Sequence, residues 1–241
     1  SDAELARVEH AYPAIFLTSF SIAAYLWEQG ILASAVAGFG IGEFSAIGAV
    51  GGLSMPDGLY LLSKYAQFCQ EASPSWRGLT SAHILGFKRA ELKEALQSCE
   101  AEAGQVATIS AYESARDHLI AGPASVVECI SKIAKQAGGH LVKDRIERGL
   151  HNAFMLPVVE YLKKYLTKVD FKDLSVPLIA CVDGAPVIKG DLVKRRAMKQ
   201  LHEPVLWPLP VQHQAHSGVV RAARALTSWP PSPGVRPSSS L

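Results

Sequence analysis

The segment from Ala35 to Ser45, AVAGFGIGEFS, has the pattern of a buried strand that turns sharply into a helix. In such an elbow, flanking glycines let the backbone turn while one side chain stands exposed at the apex. Gly38 and Gly42 are the flanking glycines, and Gly40 occupies the apex. Acyl transfer at an apex needs a hydroxyl or thiol that a neighbouring base activates. Glycine has neither, so the chain looks like a catalyst without its nucleophile, or Gly40 serves only to relieve strain in the turn.

Composition and charge exclude several classes of function. The chain has 241 residues, of which 49% are hydrophobic and 19% are charged, enough for one large domain or for two subdomains. The net charge is +2, and acidic and basic residues are interspersed, which argues against nucleic acid and a membrane surface as partners. No apolar run reaches membrane-spanning length and the start has no basic leader, so we expect a cytoplasmic protein.

The cysteines lie far apart in the sequence, without a CxxC pair. They are Cys69, Cys99, Cys129 and Cys181. This spacing argues against a zinc site and predicts reduced, mostly buried thiols with no disulfide framework.

Hydrophobic periodicity and turn residues predict an α/β protein with two subdomains. The predicted elements are helix 13–29, strand 33–39, helix 43–51, helix 56–72 with Ser54 as its N-cap, strand 80–86, helix 88–102, strand 105–111, strand 116–121, helix 124–137, strand 140–145, helix 153–168, strand 176–182 and helix 189–201. Residues 1–75 and 146–207 would form the α/β core with a parallel sheet. Residues 76–145 follow the split βαββαβ order of a ferredoxin-like insert, which would close a cleft beside the elbow. Residues 208–241, rich in proline and serine, are predicted to be mostly irregular, apart from one short helix allowed over 216–227.

Several ordered segments carry a resemblance to a known family. They are GFGIGEFSAIGAVGGLSMPDGLYLLSKYAQFCQEA, SAYESARDHLIAGP, RGLHNAFMLPVVEYL and KQLHEPVLW. Over roughly residues 10–207 the chain resembles the malonyl-CoA:acyl carrier protein transacylases and the acyltransferase domains of polyketide and fatty acid synthases. The resemblance implies an α/β-hydrolase-like core with an inserted ferredoxin-like subdomain. It also implies a serine–histidine ping-pong transfer of malonyl from coenzyme A to a carrier protein, with malonyl-CoA as substrate and no bound cofactor or metal.

The family's functional residues carry over to this chain one at a time. The resemblance puts the nucleophile's position at Gly40 and the residue before it at Phe39. Half of the oxyanion hole would be the backbone N–H of Ile41. His151 matches the family's base, and Gln200 matches the glutamine whose backbone carbonyl orients that base. The alternative for His151 is an exposed or incidentally hydrogen-bonded loop histidine.

Other positions depart from the family pattern. Tyr65 stands where the family has an arginine that pairs with the malonyl carboxylate, so a free carboxylate would be poorly held. Ala111 and Glu113 stand where the family has asparagines facing the cleft. The resemblance also implies that the family's first strand, its oxyanion loop and its final core strand lie outside this chain, which leaves a sheet edge open to another chain.

Two classes of function compete for these residues. The first is an inactive acyltransferase homologue, either a remnant or a module that binds a carrier protein or pantetheine. The second is a working acyltransferase or thioester hydrolase that uses Ser45 or an activated water. Removing the nucleophile of a hydrolytic triad costs about 10⁶ in turnover, which favours the first class. A dinucleotide site at Gly40-x-Gly42 is a weaker third alternative, because Ser45 fills the third glycine position.

Overall fold

The computed structural model describes residues 2–5, 7–143 and 151–207. The predicted tail over 208–241, its short helix and the end of the predicted strand 140–145 lie outside these residues. The α-helices are α1 (Asp2–Leu5), α2 (Val8–Glu28), α3 (Gly42–Ala49), α4 (Met55–Ala72), α5 (Arg89–Ala103), α6 (Ala124–Gln136), α7 (Leu156–Leu166) and α8 (Gly190–Lys199). The strands are β1 (Leu79–Leu85), β2 (Thr108–Tyr112), β3 (His118–Pro123), β4 (His140–Lys143), β5 (Leu178–Ile179), β6 (Pro186–Val187) and β7 (Val205–Leu206). No helix in the described ranges is long and apolar enough to span a membrane.

The insert has the predicted βαββαβ order of elements. Strands β1 to β4 form an antiparallel sheet with the spatial order β4-β1-β3-β2, as expected for a ferredoxin-like unit. Helices α5 and α6 pack on one face of this sheet, where Leu92, Ile120 and Ile130 are fully buried. Strand β7 extends the sheet by pairing in parallel with β2. The sequence pattern did not predict β7. The sheet therefore ties the end of the described chain to the insert.

The elbow strand and its neighbour are shorter than predicted. The predicted strand over 33–39 is reduced to one parallel bridge between Val36 and Leu178. The N–H of Val36 donates to the Pro177 carbonyl (2.9 Å), and the N–H of Ile179 donates to the Val36 carbonyl (2.8 Å). The predicted strand 176–182 shortens to β5, which pairs antiparallel with β6. An extended segment joins a β-ladder only where a neighbouring strand supplies backbone hydrogen-bond partners. Hydrophobic periodicity does not show which neighbouring strands are present.

The helices of the core largely agree with the sequence pattern. Helix α2 begins at Val8, five residues before the predicted start, and Pro13 lies inside it rather than in its first turn. The Ser54 side chain caps α4 as predicted, because its Oγ accepts the N–H of Asp57 at 3.1 Å. Helices α2, α3, α4 and α7 share one apolar core. Its fully buried members include Tyr12, Phe16, Phe44, Leu61 and Leu162.

Two cysteines of the insert form a disulfide, so the prediction of reduced thiols without a disulfide framework is wrong for this pair. Cys99 on α5 and Cys129 on α6 are 30 residues apart in sequence, yet their Cα atoms lie 5.9 Å apart because the two helices pack side by side. Local cysteine spacing does not reveal such a contact. Cys69 and Cys181 are buried and form no disulfide within the described residues, as predicted.

Removing this disulfide should lower the stability of the protein. Closing a loop of this length restricts the unfolded chain, and the loss is about 3–4 kcal/mol in the free energy of unfolding. Urea unfolding of the Cys99→Ser/Cys129→Ser variant against the oxidised protein measures it. An unfolding midpoint that neither reduction nor the double substitution moves would contradict this prediction.

Candidate functional site

Gly40 lies at the apex of a tight turn that leads into α3. Its φ is +55°, a left-handed conformation that glycine adopts without steric cost. The N–H of Gly42 donates to the Phe39 carbonyl (2.9 Å), and the N–H of Glu43 donates to the Gly40 carbonyl (3.0 Å). A Cβ on Gly38 would lie 2.1 Å from the Gly42 carbonyl oxygen, so only glycine fits there. The backbone around residue 40 is thus held in a tight turn that directs one side-chain position toward His151.

His151 faces that position. A Cβ added to Gly40 would lie 2.8 Å from Nε2 of His151. On the other side of the ring, Nδ1 lies 2.6 Å from the carbonyl oxygen of Gln200. A carbonyl only accepts hydrogen bonds, so Nδ1 carries the proton and Nε2 presents a lone pair to residue 40. Burial lowers the pKa of the imidazole to about 4, although the Gln200 carbonyl opposes this shift. The ring is therefore neutral at pH 7.

The backbone of His151 is strained, and the next residue helps to hold it. Its φ is +62°, which makes it the one non-glycine residue with positive φ among those described. The amide of the buried Asn152 donates through Nδ2 to Ser110 Oγ on β2 (2.9 Å), while its Oδ1 accepts the N–H of Phe154 (2.9 Å). Asn152 thereby fixes the histidine to the insert. Sequence reasoning missed Asn152 and Ser110, although an asparagine just before a helix is a familiar capping signal.

A cluster of buried polar side chains lies behind the turn at Gly40. Gln200 Nε2 donates to the Gly40 carbonyl (3.1 Å), and the N–H of Cys181 donates to Glu43 Oε2 (2.9 Å). The Cys181 thiol lies 3.9 Å from Gln200 Oε1. Burial raises the pKa of the fully buried Glu43 to about 7, and the hydrogen bonds from Cys181 oppose this shift. Sequence analysis identified neither Glu43 nor Cys181 as part of the site.

Phe39 and Ile41 flank the apex. The ring of Phe39 lies edge-on to those of His151 (centroids 6.5 Å apart) and Trp207 (5.6 Å). Phe39 therefore contributes one wall beside the base. Ile41 is buried immediately before α3, where N–H groups lack intrahelical partners. The assignment of its N–H as an oxyanion donor stays a prediction.

The other singled-out residues lie outside the hydrogen-bonded group around His151. Tyr65 is 1% exposed and stacks on Tyr12 of α2, with ring centroids 5.4 Å apart, and burial raises its pKa. Glu113 lies 3.1 Å from His83 Nδ1, which ties it to β1. Ala111 is buried on β2, and Ser45 is buried inside α3. Among the described residues, Ser45 Oγ has no hydrogen-bond partner, so no base is placed to activate it.

The chain is similar to known acyl transferases. The sequence matches the acyl transferase domain over residues 1–222. The malonyl CoA-acyl carrier protein transacylase of Bacillus subtilis strain 168 is 30% identical over 217 residues, which cover 90% of this chain and 68% of that protein. The corresponding Escherichia coli K12 protein is 30% identical over 218 residues, which cover 90% of this chain and 70% of that protein.

Solved structures show the same fold. A malonyl-transacylase of a type II polyketide system, in complex with its acyl-carrier protein, superposes with a TM-score of 0.84 at 24% identity, covering 91% of this chain and 71% of that one. The acyl-carrier-protein S-malonyltransferase of Burkholderia pseudomallei 1710b superposes with a TM-score of 0.81 at 27% identity, and the superposition covers 90% of this chain and 70% of that one.

Proposed function

Because the chain belongs to the acyl transferase domain family, we propose that it holds the acyl-thioester site of a malonyl-CoA:acyl carrier protein transacylase, impaired or inactive because residue 40 is glycine. The observation that carries the proposal is the position of His151. Its unprotonated Nε2 lies 2.8 Å from where the Cβ of residue 40 would be, and Nδ1 is anchored to the Gln200 carbonyl. This is the arrangement of a base beside a nucleophile, with the nucleophile's side chain missing.

The remaining groups would bind a thioester and not turn it over. The Ile41 N–H would donate a hydrogen bond to the thioester carbonyl oxygen, and Phe39 would form one wall of the site. His151 would take a proton from a nucleophile and return it to the leaving thiol, but Gly40 offers no proton. The chain would then act as a binding module for pantetheine or a carrier protein. Slow thioester hydrolysis by a water beside His151 is the alternative, weakened by the low pKa of that base.

The proposed partners follow from the relatives. One structural neighbour is a malonyl-transacylase bound to its acyl-carrier protein. We therefore assign an acyl carrier protein of fatty acid or polyketide synthesis as the partner, an acyl-CoA as the ligand, and the cytoplasm as the location. Tyr65 carries no positive charge and is buried against Tyr12, so malonyl should have no advantage over acetyl.

Titration with a carrier protein tests this proposal. The chain should bind holo-carrier saturably and at least tenfold more tightly than apo-carrier, which lacks the pantetheine arm. Gly40→Leu should abolish this difference because its side chain meets His151, whereas Gly30→Leu should preserve it. Gly30 is a matched control, since it also has positive φ but would place a Cβ in open space. Non-saturating binding, or equal binding of apo- and holo-carrier, would contradict the proposal.

A further inference from the structure

A closed ring of hydrogen bonds lies behind the apex and joins three segments of the chain. The Gly40 carbonyl accepts from the N–H of Glu43 (3.0 Å) and from Nε2 of Gln200 (3.1 Å). Glu43 Oε2 accepts the N–H of Cys181 (2.9 Å), and the Cys181 thiol reaches Gln200 Oε1 (3.9 Å). The side chains of Glu43, Cys181 and Gln200 are fully buried. Water therefore does not replace any of these contacts, and each bond depends on its neighbours.

The ring determines which way the Gln200 amide points. The Gly40 carbonyl only accepts, so the amide atom facing it is the nitrogen, and this leaves Oε1 facing the Cys181 thiol. Gln200 also ends α8, and its backbone carbonyl is the group that holds Nδ1 of His151. The placement of the histidine is therefore coupled to the same residue that closes the ring.

Glu43 is the only ionisable carboxyl in the ring, and one of its oxygens is not used. Among the residues that the structure describes, Oε1 is buried with no hydrogen-bond partner, while Oε2 accepts the backbone N–H of Cys181 just after β5. A buried carboxyl is costly unless its hydrogen bonds are satisfied. Packing alone does not account for a carboxyl in this position. The contact between this carboxyl and the N–H of Cys181 accounts for it, because that contact closes the ring.

We propose that Glu43 is a positioning residue for the base: its carboxyl closes the ring that fixes Gln200, and through the Gln200 carbonyl it fixes the tautomer and position of His151. The inference deepens the proposed function, because it concerns the base of that site. The charged groups that influence the pKa of Glu43 are Asp183 and Arg196, which pair with each other at 3.0 Å. They act on the charge of Glu43 and take no part in the ring.

The test measures His151 itself, by nitrogen-detected NMR of its imidazole, and needs no ligand. The His151→Asn variant identifies its signals. In Glu43→Ala, the Nδ1–H of His151 should exchange with solvent at least tenfold faster than in the unsubstituted chain, and the imidazole pKa should rise toward its ordinary value. Glu43→Gln keeps the acceptor oxygen and should leave both properties unchanged. Ser45→Ala removes a neighbouring buried side chain of α3 whose Oγ has no hydrogen-bond partner, and should also change neither.

The outcomes separate positioning from mere stability. A folded Glu43→Ala whose His151 signals match the unsubstituted chain would overturn the inference. If Glu43→Ala does not fold, Cys181→Ala opens the ring at the thiol while the backbone contact to Glu43 stays. Faster Nδ1–H exchange in that variant supports the inference, and unchanged exchange overturns it. Because no substrate is present, failure of carrier binding leaves this test unaffected.

Discussion

Replacing Glu43 with glutamine should stabilise the protein progressively as the pH rises, by about 3 kcal/mol between pH 4.5 and pH 7. Burial raises the pKa of Glu43 from 4.5 in the unfolded chain to about 7 in the folded protein, against the opposing bonds from Cys181. The folded state therefore binds the proton more strongly. Its stabilising effect is complete below pH 4.5 and is lost as the pH rises to about 7. Glutamine carries no proton to lose, and it keeps an acceptor for the N–H of Cys181.

His151 should show the opposite dependence of stability on pH. Burial lowers its pKa from 6.5 to about 4, so the unfolded state binds the proton more strongly. The stability that depends on a neutral imidazole is complete above pH 6.5 and is lost as the pH falls to about 4, a change of about 3 kcal/mol. In the unsubstituted chain the effects of His151 and Glu43 nearly cancel over this range. The Glu43→Gln variant should therefore lose stability when the pH is lowered. The His151→Asn variant should lose stability when the pH is raised.

Urea unfolding followed by tryptophan fluorescence across this pH range measures both effects. Asparagine is the suitable replacement for His151, because it tolerates the left-handed backbone that this residue adopts. Glu94→Gln, an exposed glutamate of α5, is the matched control and should leave the pH profile unchanged. If the stability difference between Glu43→Gln and the unsubstituted chain is the same at every pH, the buried carboxyl does not titrate as described.

Gly40→Ser should convert the chain into one that takes up an acyl group. The serine Oγ would stand beside Nε2 of His151, which takes its proton, while Oγ attacks the thioester carbonyl and the coenzyme A thiol leaves with that proton. The left-handed backbone costs serine about 1–2 kcal/mol, and the ring must recede slightly from the new Cβ. Adding His151→Asn should slow acylation by about 10²–10⁴-fold. Quenched-flow mass spectrometry measures these rates.

The rate should still fall below enzymatic turnover, and acetyl should be accepted at least as well as malonyl. The base has a pKa of about 4 and is therefore weak. Tyr65, stacked on Tyr12 in the core, offers no cation to a malonyl carboxylate. A Gly40→Ser protein that transfers malonyl at about 1–10³ s⁻¹ would show that the substitution at residue 40 was the sole defect.

The sequence predicted the fold where local signals and tertiary structure agree. The βαββαβ order, the Ser54 cap and most helix bounds follow from periodicity and turn residues. The disulfide, β7 and the reduction of the elbow strand to one bridge at Val36 depend on contacts between distant segments. No local pattern contains that information.

The same distinction holds at the site. The elbow pattern and the resemblance indicated Gly40, His151 and Gln200, and the structure brings these three residues together. Glu43 and Cys181 were missed, because a lone carboxyl in the first turn of a helix usually signals capping or exposure. Only the fold shows that Glu43 is buried and that its carboxyl accepts the N–H of Cys181.

The most direct test of the account is the intact mass of the protein after incubation with acetyl-CoA and with malonyl-CoA, for the chain as it stands and for Gly40→Ser side by side. We expect no adduct on the unsubstituted chain and one acetyl group per chain on Gly40→Ser. An adduct on the unsubstituted chain would reveal another nucleophile, and the absence of adducts on both would show that the acyl site is not preserved. Either result would contradict the account.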